Sequence, residues 1–507
     1  MSDGFTREEV AVLASYVTNV DRPIYALKNL PEEVVAVLFA YYSRSRESLR
    51  RNLLRLIQEQ DLDLTARLSA SSLEETELAE AKEKARQFHE KWVVGYGHAS
   101  VAEHAVVHLA IEDVSIIASK IIEDTRLASY TEKSTRYVLF DGEKCFRVPR
   151  LMQSPYAVLY EDTVRYLVNT YGAQVPKVVD CIKARVPRRP SQSERTYETA
   201  CRAKAYDLLR YLLPAATLTN LGLTINARAL EHLLTKLLSD PLDEVRDIGR
   251  AMKFEAEKVV PTLLKYADYN PYIADTNPAM RQLREELFAE GDPLETPAVS
   301  LVRFPMDAEE QLAAAIFYGY TDASWLQVVG HVGKLSAEAR ARIIDEYLRR
   351  RGPHDQPLRA LEHLYYTFDI VLDYGAYRDI QRHRMATQTR QQLSTRYGYS
   401  IPDDIVAYGL GDTFHACMGR AADAYNRLAG EYPLEAQYVL PLAYRIRALF
   451  TWNLREVFHF IQLRSAKQGH FSYRRIAQQV YAEIERVHPA VARYIRVDLA
   501  DYQLGRL

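Results

Sequence analysis

The sequence predicts a mixed α/β chain, dominated by helices and built from two related copies of one unit. Three observations carry that expectation. Apolar residues recur at helical spacing along much of the chain, strand-like runs are few, and ordered motifs of the first half return in the second. At 507 residues there is room for two to four domains of roughly 100–200 residues each.

From Pro31 to about Gln60 the apolar set Val34, Val35, Val37, Leu38, Tyr41, Leu49, Leu53, Leu54 and Ile57 steps by three and four, and Pro31 before two glutamates suits a helix start. Similar patterns fill 241–267, 308–319, 336–350, 414–430 and 473–487. The best strand candidates are His104 to Ile111 and Leu364 to Leu372, both β-branched or aromatic. Breakers crowd the stretch from Asn270 to Pro297, which suits a domain connection with a short helix inside it at 279–289. Arg185 to Ser193, rich in Pro, Arg and Ser, reads as a loop with solvated arginines.

The copies show in paired motifs. Ser134-Thr135-Arg136-Tyr137 returns 260 residues later as Ser394-Thr395-Arg396-Tyr397, and Glu103-His104 returns as Glu362-His363 at an offset of 259. Tyr211-Leu-Leu-Pro214 and Asn226-Ala-Arg228 return as Tyr438-Val-Leu-Pro441 and Asn453-Leu-Arg455, now at an offset of 227. The drop in offset assigns about 33 extra residues to the first copy. The expected domains are therefore 1–275, with an insertion around 175–205, and 276–507, opening with a linker at 276–297. Each is far longer than a solenoid repeat of about 20–50 residues.

Lys and Arg total 65 against 67 Asp and Glu, a net charge of −2, which excludes a globally basic nucleic-acid coat and leaves anion binding to local clusters. No nucleic-acid or membrane partner is expected. The four cysteines, Cys145, Cys181, Cys201 and Cys417, form no Cys-x-x-Cys pair. With no signal-like h-region and no apolar run of membrane-spanning length, the expectation is a soluble cytoplasmic protein. His98 and His104 lie six apart and lack the spacing of a helical zinc pair, so no metal site is expected. Gly-x-Gly-x-x-Gly and P-loop patterns are absent.

Arg382-His383-Arg384 offers two guanidinium forks and an imidazole able to carry a proton. Taken singly, it also suits a solvated helix end, and Ser-Thr-Arg-Tyr suits a capped turn with an exposed arginine.

Together these motifs resemble the flavin-dependent thymidylate synthases, whose signature runs Arg-His-Arg, seven residues, then Ser, with His-x-Thr/Ser-x-x-Glu-His before a strand and a YVLP-like stretch followed by Asn-x-Arg. Both halves follow that order, over about four fifths of the sequence. The resemblance implies two homologous α/β domains, each a small antiparallel sheet packed with long helices, fused as a pseudo-dimer. A homodimer of the chain would then form a pseudo-tetramer.

The copies depart from the signature in complementary ways. The first has Asp124-Thr125-Arg126 in place of Arg-His-Arg but keeps Arg210 before YLLP, and has Leu237 where the family carries a late arginine. The second has Arg382-His383-Arg384 and Arg464 but nine residues before Ser394, Gln437 before YVLP, and eight positions from His354 to Glu362. One composite site is nearly complete: Glu132, Ser134, Arg136 and Arg210 from the first copy with Arg382, His383, Arg384 and Arg464 from the second, its main departure being Asp379 where glutamine is expected. The reciprocal site, with Gln392, Ser394, Arg396 and Gln437 against Asp124, Thr125 and Leu237, lacks two arginines. That removes about 3–6 kcal/mol of charged hydrogen bonding, so it should not hold dUMP.

The resemblance further implies FAD as cofactor, with NADPH and methylenetetrahydrofolate as co-substrates and a dUMP-like nucleotide as ligand. Arg136 would clamp the phosphate, and Ser134 would bind substrate. Arg210 and Arg464 would stabilise charge on the uracil carbonyls. The flavin would be held by His98, Ser100, Glu103, Asn226, Arg228, Asn453 and Arg455, together with Arg382, His383 and Arg384. Two other readings stay open: a flavin- or nucleotide-binding protein that no longer makes dTMP, and a scaffold with both copies inactive.

Overall fold

Both strand-like runs of the sequence enter a sheet directly after a 3-10 turn. In the computed structural model, which describes residues 4–42, 45, 47–58, 101–136, 138–140, 144–288, 291 and 295–502, the turn Val101–His104 leads into β1 (Val106–Ser115). The turn Arg359–His363 leads in the same way into β5 (Tyr365–Asp373). Each strand then runs straight into a seven-residue helix, Ile116–Ile122 or Tyr374–Ile380, because its last side chain caps that helix. Ser115 Oγ accepts from the Ala118 amide at 3.0 Å, and Asp373 Oδ1 from the Ala376 amide at 2.7 Å.

The remaining strands follow the same plan twice. β2 (Ala128–Glu132) and β3 (Leu218–Asn226) join β1 in the order β1-β3-β2, while β6 (Thr387–Arg390) and β7 (Arg445–Asn453) join β5 in the order β5-β7-β6. β4 (Val299–Arg303) is an addition at the β5 edge. The pairings β2–β3, β4–β5, β5–β7 and β6–β7 are antiparallel. β3 and β7 each end on an asparagine that caps a twelve-residue helix: Asn226 for Ala227–Leu238, Asn453 for Leu454–Ser465.

Compactness divides the chain into two units that do not follow the order of the halves. The first comprises Met1–Glu112, Leu127–Glu132 and Asn220–Ala289; the second comprises Asp113–Arg126, Lys133–Thr219 and Glu290–Leu507. The second unit thus contains long stretches of both copies. At its centre the two proline-ended motifs pair with each other, Pro214 opposite Pro441 in an antiparallel bridge. The Ala215 amide donates to the Leu440 carbonyl and the Leu442 amide to the Leu213 carbonyl, both at 2.9 Å; Ala216 donates to Tyr438 at 2.9 Å and Ala443 to Tyr211 at 3.1 Å. Subtracting the 227-residue offset turns each bond of a pair into the other, the self-complementary pattern of an isologous two-fold contact.

Helix boundaries differ from the sequence expectation in three places. The run from Pro31 to Gln60 is two helices, Glu32–Tyr42 and Leu49–Gln58, because the Ser48 hydroxyl accepts from the Arg51 amide and starts a second helix. The breaker-rich stretch is largely a helix, Pro271–Leu287, which begins with Asn270 as cap and Pro271 in its first turn, tolerates Pro278 inside, and buries no residue. The extra residues of the first copy are mostly helical as well. Over the expected insertion, 175–205, the chain ends the helix Ala157–Arg185 and begins the helix Glu194–Leu209, and only 186–193 between them is irregular.

All four cysteines are free thiols. Among the described residues no helix is long and apolar enough to cross a membrane, and no group of three or more His, Cys, Asp or Glu is placed to hold a metal ion.

Candidate functional site

The Ser-Thr-Arg segments of the two motifs, 134–136 and 394–396, fold alike. Ser134 Oγ accepts from the Arg136 amide at 3.2 Å and Ser394 Oγ from the Arg396 amide at 3.4 Å, so each serine closes its own turn. The side chains then diverge. Arg396 is exposed and donates to the Gly291 carbonyl, whereas Arg136 turns inward and forks onto Asp207, Nε to Oδ1 at 2.6 Å and Nη2 to Oδ2 at 3.0 Å. The fork that the resemblance assigned to a phosphate is thus taken by a carboxylate. The remaining amino group, Nη1, donates to the Tyr473 hydroxyl at 3.1 Å.

Arg464, in the last turn of Leu454–Ser465, meets the same tyrosine from the second copy. Its guanidinium carbon lies 5.2 Å from the Tyr473 ring centroid, a cation–π contact. Its Nε donates to His383 Nε2 at 2.8 Å. That bond settles the tautomer: Nε2 is an acceptor, so Nδ1 carries the proton and donates to Glu456 Oε1 at 2.7 Å. Burial, then the charge of Arg464 and the neighbouring His459, pushes the His383 pKa well below the ordinary histidine value, so the imidazole is neutral. The turn that carries it is latched by Gln388, whose side-chain amide donates to the carbonyls of Gln381 and His383, both at 3.1 Å.

Behind these groups Arg210 is buried and donates to the Gly375 carbonyl at 3.1 Å. Asp379 lies between Arg210 at 3.5 Å and Arg464 at 4.0 Å. Burial alone would raise the Asp379 pKa, but Arg210, Arg464, Arg136 and Arg382 outweigh it and hold the carboxyl below its usual range. The departure from glutamine therefore supplies a counter-ion to an arginine cluster. His470 is also buried and neutral. Its Nδ1 accepts from the Ser472 amide and its Nε2 donates to the Asp207 carbonyl at 3.1 Å.

Arg136, Arg464 and Tyr473 line a cavity of about 670 Å³ together with Arg195, Thr196, Thr199, Ala200 and Ala203 of the helix Glu194–Leu209. The lining includes neither Ser134, Arg210, Asp379 nor His383. Ser134 bonds to the Arg136 amide, His383 and Asp379 contact Arg464, and Arg210 contacts Asp379. Of the reciprocal set, Leu237 is fully buried in the first unit, where the neighbouring helix comes so close at Gly249 that a Cβ there would lie 2.9 Å from that of Leu237.

The residues expected at a flavin are spread over both units. His98 and Ser100 lie outside the described residues. In the first unit Glu103 pairs with Arg228 at 2.5 Å and Asn226 caps its helix, while Glu132, expected at the nucleotide rather than the flavin, ends β2 as a buried side chain. In the second unit Glu362 pairs with Arg455 at 2.8 Å and Asn453 caps its helix, the same contacts repeated in the second copy. Arg382 is exposed on the turn before β6, and Arg384, half-buried, donates to the Arg126 carbonyl at 3.3 Å. Two guanidiniums on one turn have the donor chemistry of a diphosphate site, so a dinucleotide cofactor fits Arg382 and Arg384. His383, Asn453 and Arg455 are committed to protein partners.

Four residues escaped the sequence reading. Glu456 carried a signal, because Asn453-Leu-Arg-Glu456 is a helix cap followed by an acid three residues on. Asp207, Tyr473 and Arg195 carried none, since their partners or cavity neighbours lie far away in sequence.

The family described as thymidylate synthase complementing protein matches residues 53–262 and again residues 300–490. The chain belongs to that family. Its relatives include a UPF0159 protein of Chlamydia muridarum, 38% identical over 99% of this chain and 97% of its own length. A UPF0159 protein of Thermoplasma acidophilum is 31% identical over 84% and 91%, respectively. A flavin-dependent thymidylate synthase of Thermococcus onnurineus is 30% identical over 35% of this chain and 64% of its own length. The double match of the thymidylate synthase complementing protein family coincides with the repeated strand order and caps, so the chain carries two divergent copies of one domain.

Proposed function

We propose that the chain is a flavin-dependent thymidylate synthase with one composite site, converting dUMP, methylenetetrahydrofolate, NADPH and a proton into dTMP, tetrahydrofolate and NADP+. The observation that carries this reading is the meeting of Arg136 from the first copy and Arg464 from the second on one ring, Tyr473, at the wall of a 670 Å³ cavity. The family match and the partial likeness to the Thermococcus onnurineus enzyme support it.

Arg464 faces the cavity with its orientation set from behind by the Glu456–His383 pair. A guanidinium held in place stabilises negative charge developing on a uracil carbonyl without reorganising. Arg136, fixed by Asp207, fixes the Tyr473 hydroxyl in turn. Arg210 shares Asp379 with Arg464 and so sets how much positive charge the pair presents. Arg382 and Arg384 would hold the diphosphate of FAD, which when bound supplies hydride chemistry that side chains lack. Ser134 acts in this reading as a turn residue, its hydroxyl accepting from the Arg136 amide.

An anaerobic assay of dTMP formation with added FAD tests the reading: wild type should turn over and Arg464→Ala should not. One observation favours a second reading, a nucleotide-binding flavoprotein that makes no dTMP. Asp379 already neutralises part of the charge that Arg210 and Arg464 would offer a uracil ring. Flavin retention and dUMP binding without dTMP formation would select it.

A further inference from the structure

Three guanidiniums line the cavity, and two are already engaged: Arg136 by Asp207 and Arg464 by His383. The third, Arg195, is exposed, and among the described residues its guanidinium has neither a hydrogen bond nor an ion pair. Its position does not serve the helix. Arg195 stands in the first turn of Glu194–Leu209, after the cap Ser193, where the helix dipole disfavours a cation. Thr196, Thr199, Ala200 and Ala203 recur at three- and four-residue steps, so one helix face forms this wall, and its two alanines leave it open. Thr199 spends its hydroxyl proton on the Arg195 carbonyl at 2.8 Å, while the Thr196 hydroxyl lies 2.8 Å from that of Ser193, and when Ser193 is the donor the Thr196 proton is free for a ligand.

We infer that Arg195, with Thr196 beside it, binds the phosphate of a phosphomonoester ligand in this cavity, and that Arg136 is a positioning residue locked by Asp207. The inference deepens the thymidylate synthase reading and rests on it only for the nucleoside part of the ligand. A guanidinium fork matches a phosphate's oxygens, and of the three lining arginines the guanidinium of Arg195 alone has, among the described residues, neither a hydrogen bond nor an ion pair. The insertion expected around 175–205 thereby acquires a role, because Arg195 lies within it.

The test uses the full chain, as wild type, Arg195→Gln and a control, Arg189→Gln, which removes an exposed arginine from the adjoining loop. Inorganic phosphate is followed by phosphorus NMR line broadening, and dUMP and deoxyuridine by calorimetry. Wild type and Arg189→Gln should broaden the phosphate line while Arg195→Gln does not. Arg195→Gln should weaken dUMP about ten- to a hundredfold and leave deoxyuridine unchanged. Equal phosphate binding by wild type and Arg195→Gln, including no binding by either, overturns the inference. Phosphate held through Arg195 while dUMP binds no tighter than phosphate leaves the inference standing and removes the uridylate reading.

Discussion

Pro214 faces Pro441 across an antiparallel bridge, so a residue of the first copy pairs with its own counterpart in the second. The four backbone hydrogen bonds around this pair are related by the same two-fold exchange. They should behave as one cooperative unit. Amide hydrogen exchange should show Ala215, Ala216, Leu442 and Ala443 protected together, near the slowest rates of the chain. Fast exchange at Ala215 and Ala216 with protection kept at Leu442 and Ala443 would mean the copies are not joined there.

Glu456 governs Arg464 through His383. Glu456→Gln keeps an acceptor for Nδ1–H and should change dUMP affinity less than about threefold. Glu456→Leu removes it, frees the imidazole to rotate, and should weaken binding more than about tenfold. Nitrogen NMR of the imidazole provides the second readout: the Nδ1–H tautomer should persist in the glutamine variant and be lost in the leucine variant.

Asp379 is the counter-ion of Arg210 and Arg464, so Asp379→Asn leaves a buried guanidinium without its carboxylate. Denaturant unfolding at neutral pH should show a loss of about 3 kcal/mol. Because the folded-state pKa of Asp379 is lowered, its contribution is present above the ordinary aspartate value and lost as pH falls through the folded value. The gap between variant and wild type should therefore narrow below about pH 4. A gap that widens with acidity would rule out the counter-ion role.

His383 and His470 are both held neutral by burial and by neighbouring arginines. The unfolded chain takes up protons on them as pH drops below about 6.5 while the folded chain does not, so stability falls with falling pH. Each contributes a slope of about 1.4 kcal/mol per pH unit below that value. Unfolding of wild type and His470→Asn between pH 7 and 5 should differ by one proton's slope, with wild type the steeper. Parallel curves would show that His470 titrates in the folded protein.

Much of this arrangement was legible in the sequence because it depends on local chemistry. The caps Asn226 and Asn453 and the Glu103–Arg228 and Glu362–Arg455 pairs sit in motifs that repeat in order, so the duplication shows in the sequence itself. Arg136 and Arg464 were picked out by the same route and do reach one cavity. The partners that decide their roles were hidden. Asp207 lies 71 residues from Arg136 and Tyr473 lies 337 residues from it, and no periodicity links them. The proline-rich stretch misled for a different reason: Pro271 stands in a first turn, where its missing amide costs nothing, and a helix with no buried residue shows no apolar stripe.

Calorimetric titration with dUMP measures directly the proposed single nucleotide site built from both copies. One dUMP per chain, lost in Arg464→Ala, is the predicted result. Two per chain, or one per chain unchanged by Arg464→Ala, would contradict it.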